Sequence, residues 1–525
     1  MHPKSKSVLD FLLNEYLLNI LGFGILILSI ICNYSVYDEY KLANVFNSDS
    51  LGIPCLFKDI FYNGGHIKDW YLAAAPALFP DMTLYYVLFL IFKLNFLSLS
   101  FVYGLIQTLT IVVLSCYIFR KSFSANLKKY SWLVPVFYSI LFLESYYFTN
   151  DQFFPSLMLV YCYHTGTLVN TLITVSVLIS KIKPVYKFIF IFLFTILATY
   201  SDILFIVMFI GPTILTNLFL YKSKGLRYIL VYTLTVIFGV CIAMKLYTHI
   251  NQSGLFNFSS PNKMYAFENI GQSMKTFYAQ ASCYISLLGF RSFQMVFAYL
   301  SPVISGIMFL VYRKKFSESV KFFLLFYTIF SIIVYAAPVL NGSYTGWDTI
   351  RYNVAPVFFA MTFLAILVGY FMKKRESNRI FSFGLSYLIL IVFFSLITFK
   401  LSPKGFVNYF SYYPQKVKEI DSVCVKKNFK RGISNYWIAK WITVFSKNNV
   451  QVLSVYPSCA INEVGSNIKW YLTGEFEFVI VDKLDPIEIK KNFIILDTIN
   501  TPNFSILKVR KFYFAKNEYV PKTKF

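Results

Sequence analysis

Acidic residues, one histidine and one arginine lie beside the apolar segments of this chain, where their side chains can do chemistry at a membrane boundary. Each candidate stands at the edge of an apolar run: Asp49, Asp81, Asp151, His164, Asp202 and Arg351. An aspartate can take a proton from a hydroxyl group or hold a divalent cation. An arginine can hold a phosphate, because the fork of its guanidinium group matches two phosphate oxygens. A substrate that is both a lipid and a phosphate needs both kinds of side chain at this depth.

The sequence lacks the short motifs of several common enzyme classes. HExxH, GxxxxGK[ST], GxSxG and the Cys and His spacing of metal sites do not occur, which argues against ATP-driven work and zinc-dependent hydrolysis. The net charge of +24 does not indicate nucleic acid, because Lys and Arg cluster at the ends of apolar segments. At those positions they set the topology and contact anionic lipids. Membrane lipids are therefore expected partners, and nucleic acid is not.

The composition predicts a polytopic α-helical membrane protein. Hydrophobic residues make up 57% of the 525 residues and charged residues only 14%, whereas soluble domains carry about 25% charged residues. Runs such as LLNILGFGILILSIIC (17–32) leave no polar face for water. We predict about eleven transmembrane helices, near residues 12–32, 97–118, 131–148, 163–180, 187–201, 203–220, 228–248, 292–312, 321–339, 353–372 and 380–399.

The positive charges predict the orientation of these helices. Twenty Lys and Arg residues precede the first span or lie in alternate loops, and the positive-inside rule assigns these loops to the cytoplasm. The amino terminus is then cytoplasmic, and an odd number of spans makes the carboxyl-terminal part extracytoplasmic. The candidate residues share that outer face with a long first loop, residues 33–96. The Lys-, Asn- and Phe-rich composition is typical of an AT-rich bacterial genome, which favours a bacterial inner or plasma membrane. In a eukaryote the same face would be luminal.

The remaining segments predict a second domain and two helices at the membrane surface. Residues 82–96 and part of 262–290 are apolar but interrupted by charges, as in interfacial helices. Residues 1–399 form the transmembrane domain. Residues 400–525 contain no spanning run and predict a small extracytoplasmic α/β domain, with a helix at 431–447 and strands at 450–456, 476–482, 493–499 and 504–512. Cys424 and Cys459 both lie there, and their pairing stays open.

Five segments, taken in order, indicate a family. They are an outer loop with an acid (FNSDSLGIPCLFKDIFYNGG, 46–65), a proline before an interfacial helix (AAPALFPDMTLYYVLFLIFKLNF, 74–96), a span ending in basic residues (YIFRK, 117–121), a short hairpin (LATYSDILFIVMFIGP, 197–212), and an Arg-Tyr stretch before a late span (IRYNVAP, 350–356). In this order, and with a soluble outer domain at the end, the chain resembles the GT-C membrane glycosyltransferases. The resemblance is to bacterial relatives of the polyprenyl-phosphate-sugar-dependent family 39 type.

The resemblance implies inverting glycosyl transfer on the extracytoplasmic face. A hexosyl- or pentosyltransferase would move a sugar from a polyprenyl-phosphate donor to a glycan, lipid or protein acceptor. The first-loop acid of the family, here Asp49, is the base or a metal ligand. Ser50 stands where the family often has a second acid, which favours a metal-independent mechanism, although Mg²⁺ or Mn²⁺ at Asp49 stays open. Asp202 replaces the usual hairpin lysine, which leaves Arg351 as the main candidate for phosphate contact.

The predicted site therefore has two groups of residues. The catalytic candidates are Asp49, Asp202 and Asp151. The substrate-binding candidates are Asp81, His164, Arg351, Tyr352, Lys245 and Arg291. A structural alternative accompanies several of them, since Asp49 and Asp81 stand where a helix N-cap is expected. For the nearby Asp59, a solvated helix face is the favoured interpretation.

Other functions remain open at this point. The chain could be a catalytically inactive GT-C-like scaffold, a secondary transporter of lipid-linked or polar solutes, or a polymerase or ligase of surface polysaccharide. Intramembrane acids fit a transporter, but the hydropathy shows no internal repeat and the charges gather at one face. An accessible cavity that holds Asp49, Asp202 and Arg351 within a few ångströms of one another favours an enzyme, and acids dispersed over separate surfaces favour a scaffold.

Overall fold

The computed structural model describes residues 14–35, 42–43, 45–122, 128–147, 158–161, 163–220, 225–258, 266–286, 293–374, 379–398, 402–472, 474–512 and 514. The chain is mostly helical up to residue 427, with the short strands β1 (Trp70–Leu72) and β2 (Asn257–Phe258). The helices of this part are α1 (Glu15–Ser35), α2 (Gly52–Tyr62), α3 (Thr83–Phe92), α4 (Phe96–Ser122), α5 (Leu133–Tyr147), α6 (Thr165–Ile179), α7 (Pro184–Ser201), α8 (Gly211–Leu220), α9 (Leu226–Ser253), α10 (Ile270–Ser286), α11 (Phe293–Tyr312), α12 (Glu318–Leu340), α13 (Val354–Lys374), α14 (Arg379–Thr398), α15 (Pro403–Tyr409) and α16 (Gln415–Lys427).

Seven helices in the described part of the chain are long and apolar enough to cross a membrane. They are α1, α4, α7, α9, α11, α12 and α13, and the bent pair Gly384–Thr398 and Pro403–Tyr409 brings the number up to eight if it is one span. The other predicted spans correspond to shorter apolar helices, including α6 and the stretch Ile206–Leu220. These helices indicate a membrane-embedded protein, while the count of eleven stays a prediction.

Close packing at one end joins helices whose ends the charge pattern assigns to the cytoplasm. Arg120, in the last turn of α4, pairs with Glu15 at the start of α1. Ser131, before α5, donates to the side chain of Asn19 at 3.2 Å. Helix α1 then approaches α5 at Gly22, where an added Cβ would lie 2.8 Å from the carbonyl oxygen of Trp132. Any larger residue at Gly22 would force these two helices apart.

The carboxyl-terminal part is the predicted α/β domain. Its strands are β3 (Arg431–Asn435), β4 (Gln451–Val455), β5 (Ser466–Asn467), β6 (Phe476–Ile480), β7 (Ile495–Asn500) and β8 (Ser505–Phe512), and its helices are α17 (Tyr436–Phe445), α18 (Lys469–Leu472) and α19 (Pro486–Asn492). Five strands form one sheet in the order β4-β3-β6-β8-β7. Strand β3 runs parallel to β4 and β6, whereas β8 runs antiparallel to β6 and β7.

One secondary-structure prediction in this domain was wrong. Residues 431–435, predicted as the start of a helix, form the central strand β3, and the helix begins at Tyr436. The physical reason is tertiary: β3 has parallel partners on both sides, and burial between them overrides local helical spacing. The four strands predicted from the sequence are present. Cys424 and Cys459 are both free and buried, and burial raises the pKa of their thiols to about 12 and about 11.

The α/β domain is joined to the first outer loop by a small sheet and a buried carboxylate. Strand β1 of the loop pairs with β2 and with β5 of the domain. Beside it, the Asp59 carboxylate accepts hydrogen bonds from Trp70 Nε1 at 2.8 Å, Asn467 Nδ2 at 2.8 Å and Trp470 Nε1 at 3.1 Å. Asp59 is only 1% exposed, so its interpretation as part of a solvated face was wrong. Three N–H donors make its burial favourable.

Both segments predicted as surface helices are helical. Helix α3 has ten residues, too few to span a bilayer, and exposes Leu90 and Ile91. Helix α10 exposes Met274 and Tyr278 but buries Gln280. Gln280 accepts a hydrogen bond from the Tyr344 hydroxyl. The exposed side of α10 also carries Lys275, and such a mixture of apolar and charged residues fits a helix at the membrane surface.

Candidate functional site

Asp49 lies between the helical part of the chain and the α/β domain. Its carboxylate accepts a hydrogen bond from the Tyr436 hydroxyl at 2.6 Å and lies 3.5 Å from Nη1 of Arg351. Asp49 belongs to the turn before α2, Arg351 to the 3-10 turn Trp347–Asn353 before α13, and Tyr436 is the first residue of α17. Three distant segments therefore meet at one partly exposed ion pair, whose side chains are 28% and 29% exposed.

Asp49 is not the helix N-cap that the structural alternative proposed. The N-cap of α2 is Leu51, which makes no side-chain capping bond. The polar side chain that orders this turn is Asn47, whose Oδ1 accepts from the backbone N–H groups of Asp49 at 3.0 Å and Ser50 at 3.2 Å. The Asp49 carboxylate is thus free of a capping role and faces Arg351 and Tyr436.

A second cluster forms around Asp202, the residue that follows α7. Its Oδ2 lies 2.6 Å from Nδ1 of His164 and accepts a hydrogen bond from the Thr167 hydroxyl. Its Oδ1 accepts from the backbone N–H of Leu204 at 3.0 Å. Burial raises the pKa of Asp202, but the charge and hydrogen bond of His164 and the bonds from Thr167 and Leu204 outweigh it and lower the pKa below the ordinary value. The carboxylate is therefore ionised at neutral pH.

Asp81 lies beside this cluster in the turn Leu78–Met82. It is 4% exposed and accepts a hydrogen bond from the Tyr103 hydroxyl at 2.7 Å. Burial raises the pKa of Asp81 to about 6, with the negative charge of Asp202 acting in the same direction and the bond from Tyr103 opposing it. Asp81 is not an N-cap: the N-cap residues of this turn and of α3 are Ala77 and Met82. Asp81 and Asp202 are thus two buried carboxyl groups whose environments separate their pKa values.

Tyr352 connects the two clusters. Its ring stacks on the imidazole of His164, with the ring centroids 6.1 Å apart, and the guanidinium of Arg351 lies 5.6 Å from the same ring. We call the connected set of Asp49, Arg351, Tyr352, His164, Asp202 and Asp81 the polar cluster. All six were predicted as site residues. The sequence missed Tyr436, Tyr103 and Thr167; only Thr167, one helical turn after His164, has a sequence position that could have indicated it.

Of the three further predicted residues, the structure describes only Lys245. Asp151 and Arg291 fall outside the described residues. Lys245 is exposed on α9, and no contact recorded for the described residues joins it to the polar cluster; its predicted role in substrate binding has no support in the geometry. Within the described part of the chain, no three His, Cys, Asp or Glu residues are grouped so that they could hold a metal ion. The predicted independence from metal stays a prediction.

Gly166 permits the close approach of Asp81 to α6, and its substitution is expected to destabilise the protein. A Cβ at Gly166 would lie 2.0 Å from Oδ2 of Asp81, so Gly166→Ala must displace the buried carboxyl group. We expect destabilisation by about 1–3 kcal/mol, measured as a lower midpoint of thermal unfolding in detergent. Gly24→Ala in α1 is the control, since a Cβ there meets nothing within 4 Å. Equal midpoints for the two variants would contradict the close packing of Asp81.

Comparisons with known proteins add no name to this geometry. No family model matches the chain, and no curated protein matches it. The resemblance drawn from the order of the segments therefore rests on the residues and their arrangement alone.

Proposed function

We propose that the protein is a membrane glycosyltransferase of GT-C type that transfers a sugar from a polyprenyl-phosphate donor, with inversion, on the extracytoplasmic face of a bacterial inner or plasma membrane. The observation that carries this proposal is the contact of Arg351 with Asp49, 3.5 Å apart, and its connection through Tyr352 to His164 and Asp202. An acid beside an arginine, linked through an aromatic ring to a second, buried acid, supports an enzyme better than acids dispersed over separate surfaces do.

The chemistry follows from the charges. The acceptor oxygen bonds to the anomeric carbon as the bond from that carbon to the phosphate oxygen breaks, and the electron pair leaves with the lipid phosphate. Arg351 stabilises the charge that develops on the phosphate. The acceptor proton passes to a base of the polar cluster; Asp49 is the base that the family resemblance implies. The acceptor is a glycan, lipid or protein, and a divalent cation at Asp49 stays an open part of the proposal.

The proposed orientation extends the same argument. With eleven spans and a cytoplasmic amino terminus, the polar cluster and the α/β domain both lie outside the cytoplasm. The contact of Tyr436 with Asp49 requires the cluster and the domain to share one side of the membrane. The pairing of Arg120 with Glu15 at the opposite end agrees with this arrangement.

A catalytically inactive scaffold is the second candidate, and one observation favours it. Both carboxylate oxygens of Asp49 have partners, Tyr436 on Oδ1 and Arg351 on Oδ2, as in an ion pair that holds two domains together. A scaffold predicts that removing the charge of Asp49 weakens the contact between these segments without loss of any product.

Glycan and glycolipid mass spectrometry on matched strains tests the proposal. Three strains of the native organism are compared: wild type, a deletion, and the deletion carrying Asp49→Asn at equal membrane abundance. The loss of one sugar mass in the deletion, with the same loss in Asp49→Asn, supports the transferase and identifies its product. A deletion with an unchanged glycan and glycolipid profile overturns it, and a loss in the deletion alone removes Asp49 from the chemistry, leaving a scaffold or a transferase with another base.

Tyr436 gives a test of whether the α/β domain contributes to the site. Tyr436→Phe removes the hydrogen bond to Asp49 but keeps the ring, so we expect transfer about three- to tenfold slower with unchanged membrane abundance. The control is Tyr456→Phe, an exposed tyrosine in the same domain. The rate of product formation in membranes measures both. Equal rates for the two variants would show that the domain only docks on the site.

A further inference from the structure

His164 and Asp202 form a pair that the proposed transfer from a lipid phosphate does not yet use. Nδ1 of His164 lies 2.6 Å from the carboxylate of Asp202, which is 6% exposed. Thr167 and the backbone N–H of Leu204 hold the same carboxylate in place. When Nδ1–H donates to a fixed carboxylate, the imidazole is held in the tautomer whose Nε2 carries a free electron pair.

The imidazole of His164 is partly accessible. The side chain of His164 is 21% exposed, and its ring stacks on Tyr352, whose other neighbour is Arg351. Among the contacts of the described residues, none engages Nε2. Asp49 differs, because its carboxylate already faces Arg351 and accepts from Tyr436. Both oxygens of the Asp49 carboxylate therefore already have partners.

We propose that His164, held by Asp202, is the base that takes the proton of the acceptor hydroxyl, while Asp49 positions Arg351 for the phosphate. This inference rests on the proposed glycosyl transfer and changes the assignment of its base. In the step, the proton moves from the acceptor oxygen to Nε2, the oxygen bonds to the anomeric carbon, and the electron pair of the broken bond leaves with the phosphate. The imidazolium then returns its proton to solvent.

Three titratable groups face His164 and shape its pH dependence. Asp202 contacts Nδ1, Tyr352 stacks on the ring, and the buried Asp81 acts on it through space. Protonated imidazole cannot accept the proton, so transfer must fail on the acid side of the pH profile. The decrease in rate on the acid side of the profile, its acid limb, therefore reports the protonation of the base.

His164→Asn is the variant that separates the chemical role from a structural one. His164 has a φ of +60°, a conformation that asparagine and glycine tolerate better than most residues. The asparagine amide can still donate to Asp202 but is not a base. We expect the rate of transfer to fall about 100- to 10,000-fold. Between about pH 5 and 9, the remaining activity should no longer decrease toward acid pH.

A second variant tests the same role by restoring it. His164→Gly fits the backbone and leaves a gap of imidazole size beside Asp202, so added imidazole is expected to restore part of the rate. Membranes of the deletion strain that express each variant at equal abundance are the assay system, and the sugar mass lost in the deletion is the product followed. Full activity of His164→Asn with an unchanged acid limb would overturn this inference but not the proposed transferase. A folded His164→Gly variant that imidazole does not rescue would also overturn this inference.

The proposed function fails in a different way. If wild-type membranes form no product that deletion membranes lack, the transferase itself is wrong and no variant of His164 is informative. If product forms and the acid limb disappears in Asp49→Asn rather than in His164→Asn, the transfer stands and Asp49 is its base.

Discussion

Replacing Arg351 with glutamine is expected to slow glycosyl transfer by about 100- to 1,000-fold. The guanidinium lies 3.5 Å from Asp49 and against the ring of Tyr352, so it is held in place before the substrate arrives. Glutamine is polar and can donate a hydrogen bond, but it is shorter and uncharged, and the departing phosphate then has no fixed cation. The initial rate of product formation in membranes with equal protein abundance measures the loss.

Two comparisons make the Arg351 result specific. Arg351→Lys keeps the charge but loses the planar fork that binds two phosphate oxygens, so it should recover only part of the rate. Arg313→Gln removes an exposed arginine in a loop assigned to the cytoplasm and should leave the rate unchanged. A rate for Arg351→Gln within about threefold of the wild type would remove Arg351 from the transition state.

Replacing Asp59 with alanine is expected to detach the α/β domain from the first outer loop. The substitution leaves three N–H donors, on Trp70, Asn467 and Trp470, without their acceptor in a buried place. Buried donors without an acceptor cost about 1–3 kcal/mol each, so we expect a loss of stability of at least about 3 kcal/mol. Thermal unfolding in detergent and limited proteolysis, with release of the domain as a fragment, measure the effect.

Asp69→Asn is the matched control for Asp59. Asp69 lies in the same loop and pairs with Lys469 of the same domain at 2.9 Å, but the lysine side chain is half exposed. A pair of this kind contributes about 0–1 kcal/mol, so Asp69→Asn should leave the domain attached. Equal resistance to protease for Asp59→Ala and the wild type would show that the other contacts hold the domain without Asp59.

The helical positions could be predicted from sequence because apolar segments of this length allow few alternatives. Each backbone polar group in lipid must be satisfied within its own helix, so hydropathy alone indicates where helices lie. Residues 97–118 and 228–248, for example, fall within α4 and α9. The length of a helix such as α6, which has fifteen residues, does not show whether the helix crosses the membrane. The number of spans therefore does not follow from the positions of the helices.

The sequence predicted which polar residues share one face of the protein, but not which residues they contact. Asp202 was expected to avoid lipid because a charge there is costly, and it is buried against His164. The partners of Asp49 and Asp59 could not be predicted, since Tyr436 and Asn467 lie 387 and 408 residues away along the chain. Nothing local indicates which residue of a separate domain will dock, so Asp59 was assigned to solvent and Tyr436 was missed.

The most direct test of the central claim is the release of polyprenyl phosphate by the purified protein. Wild-type protein or Arg351→Gln is placed in liposomes with the polyprenyl-phosphate lipids and the membrane acceptor fraction extracted from the deletion strain. Mass spectrometry then follows one lipid-linked sugar and free polyprenyl phosphate over time. We predict that the sugar-linked lipid declines and polyprenyl phosphate rises with the wild-type protein but not with Arg351→Gln. An unchanged ratio of the two lipids with folded wild-type protein would contradict the proposed transfer.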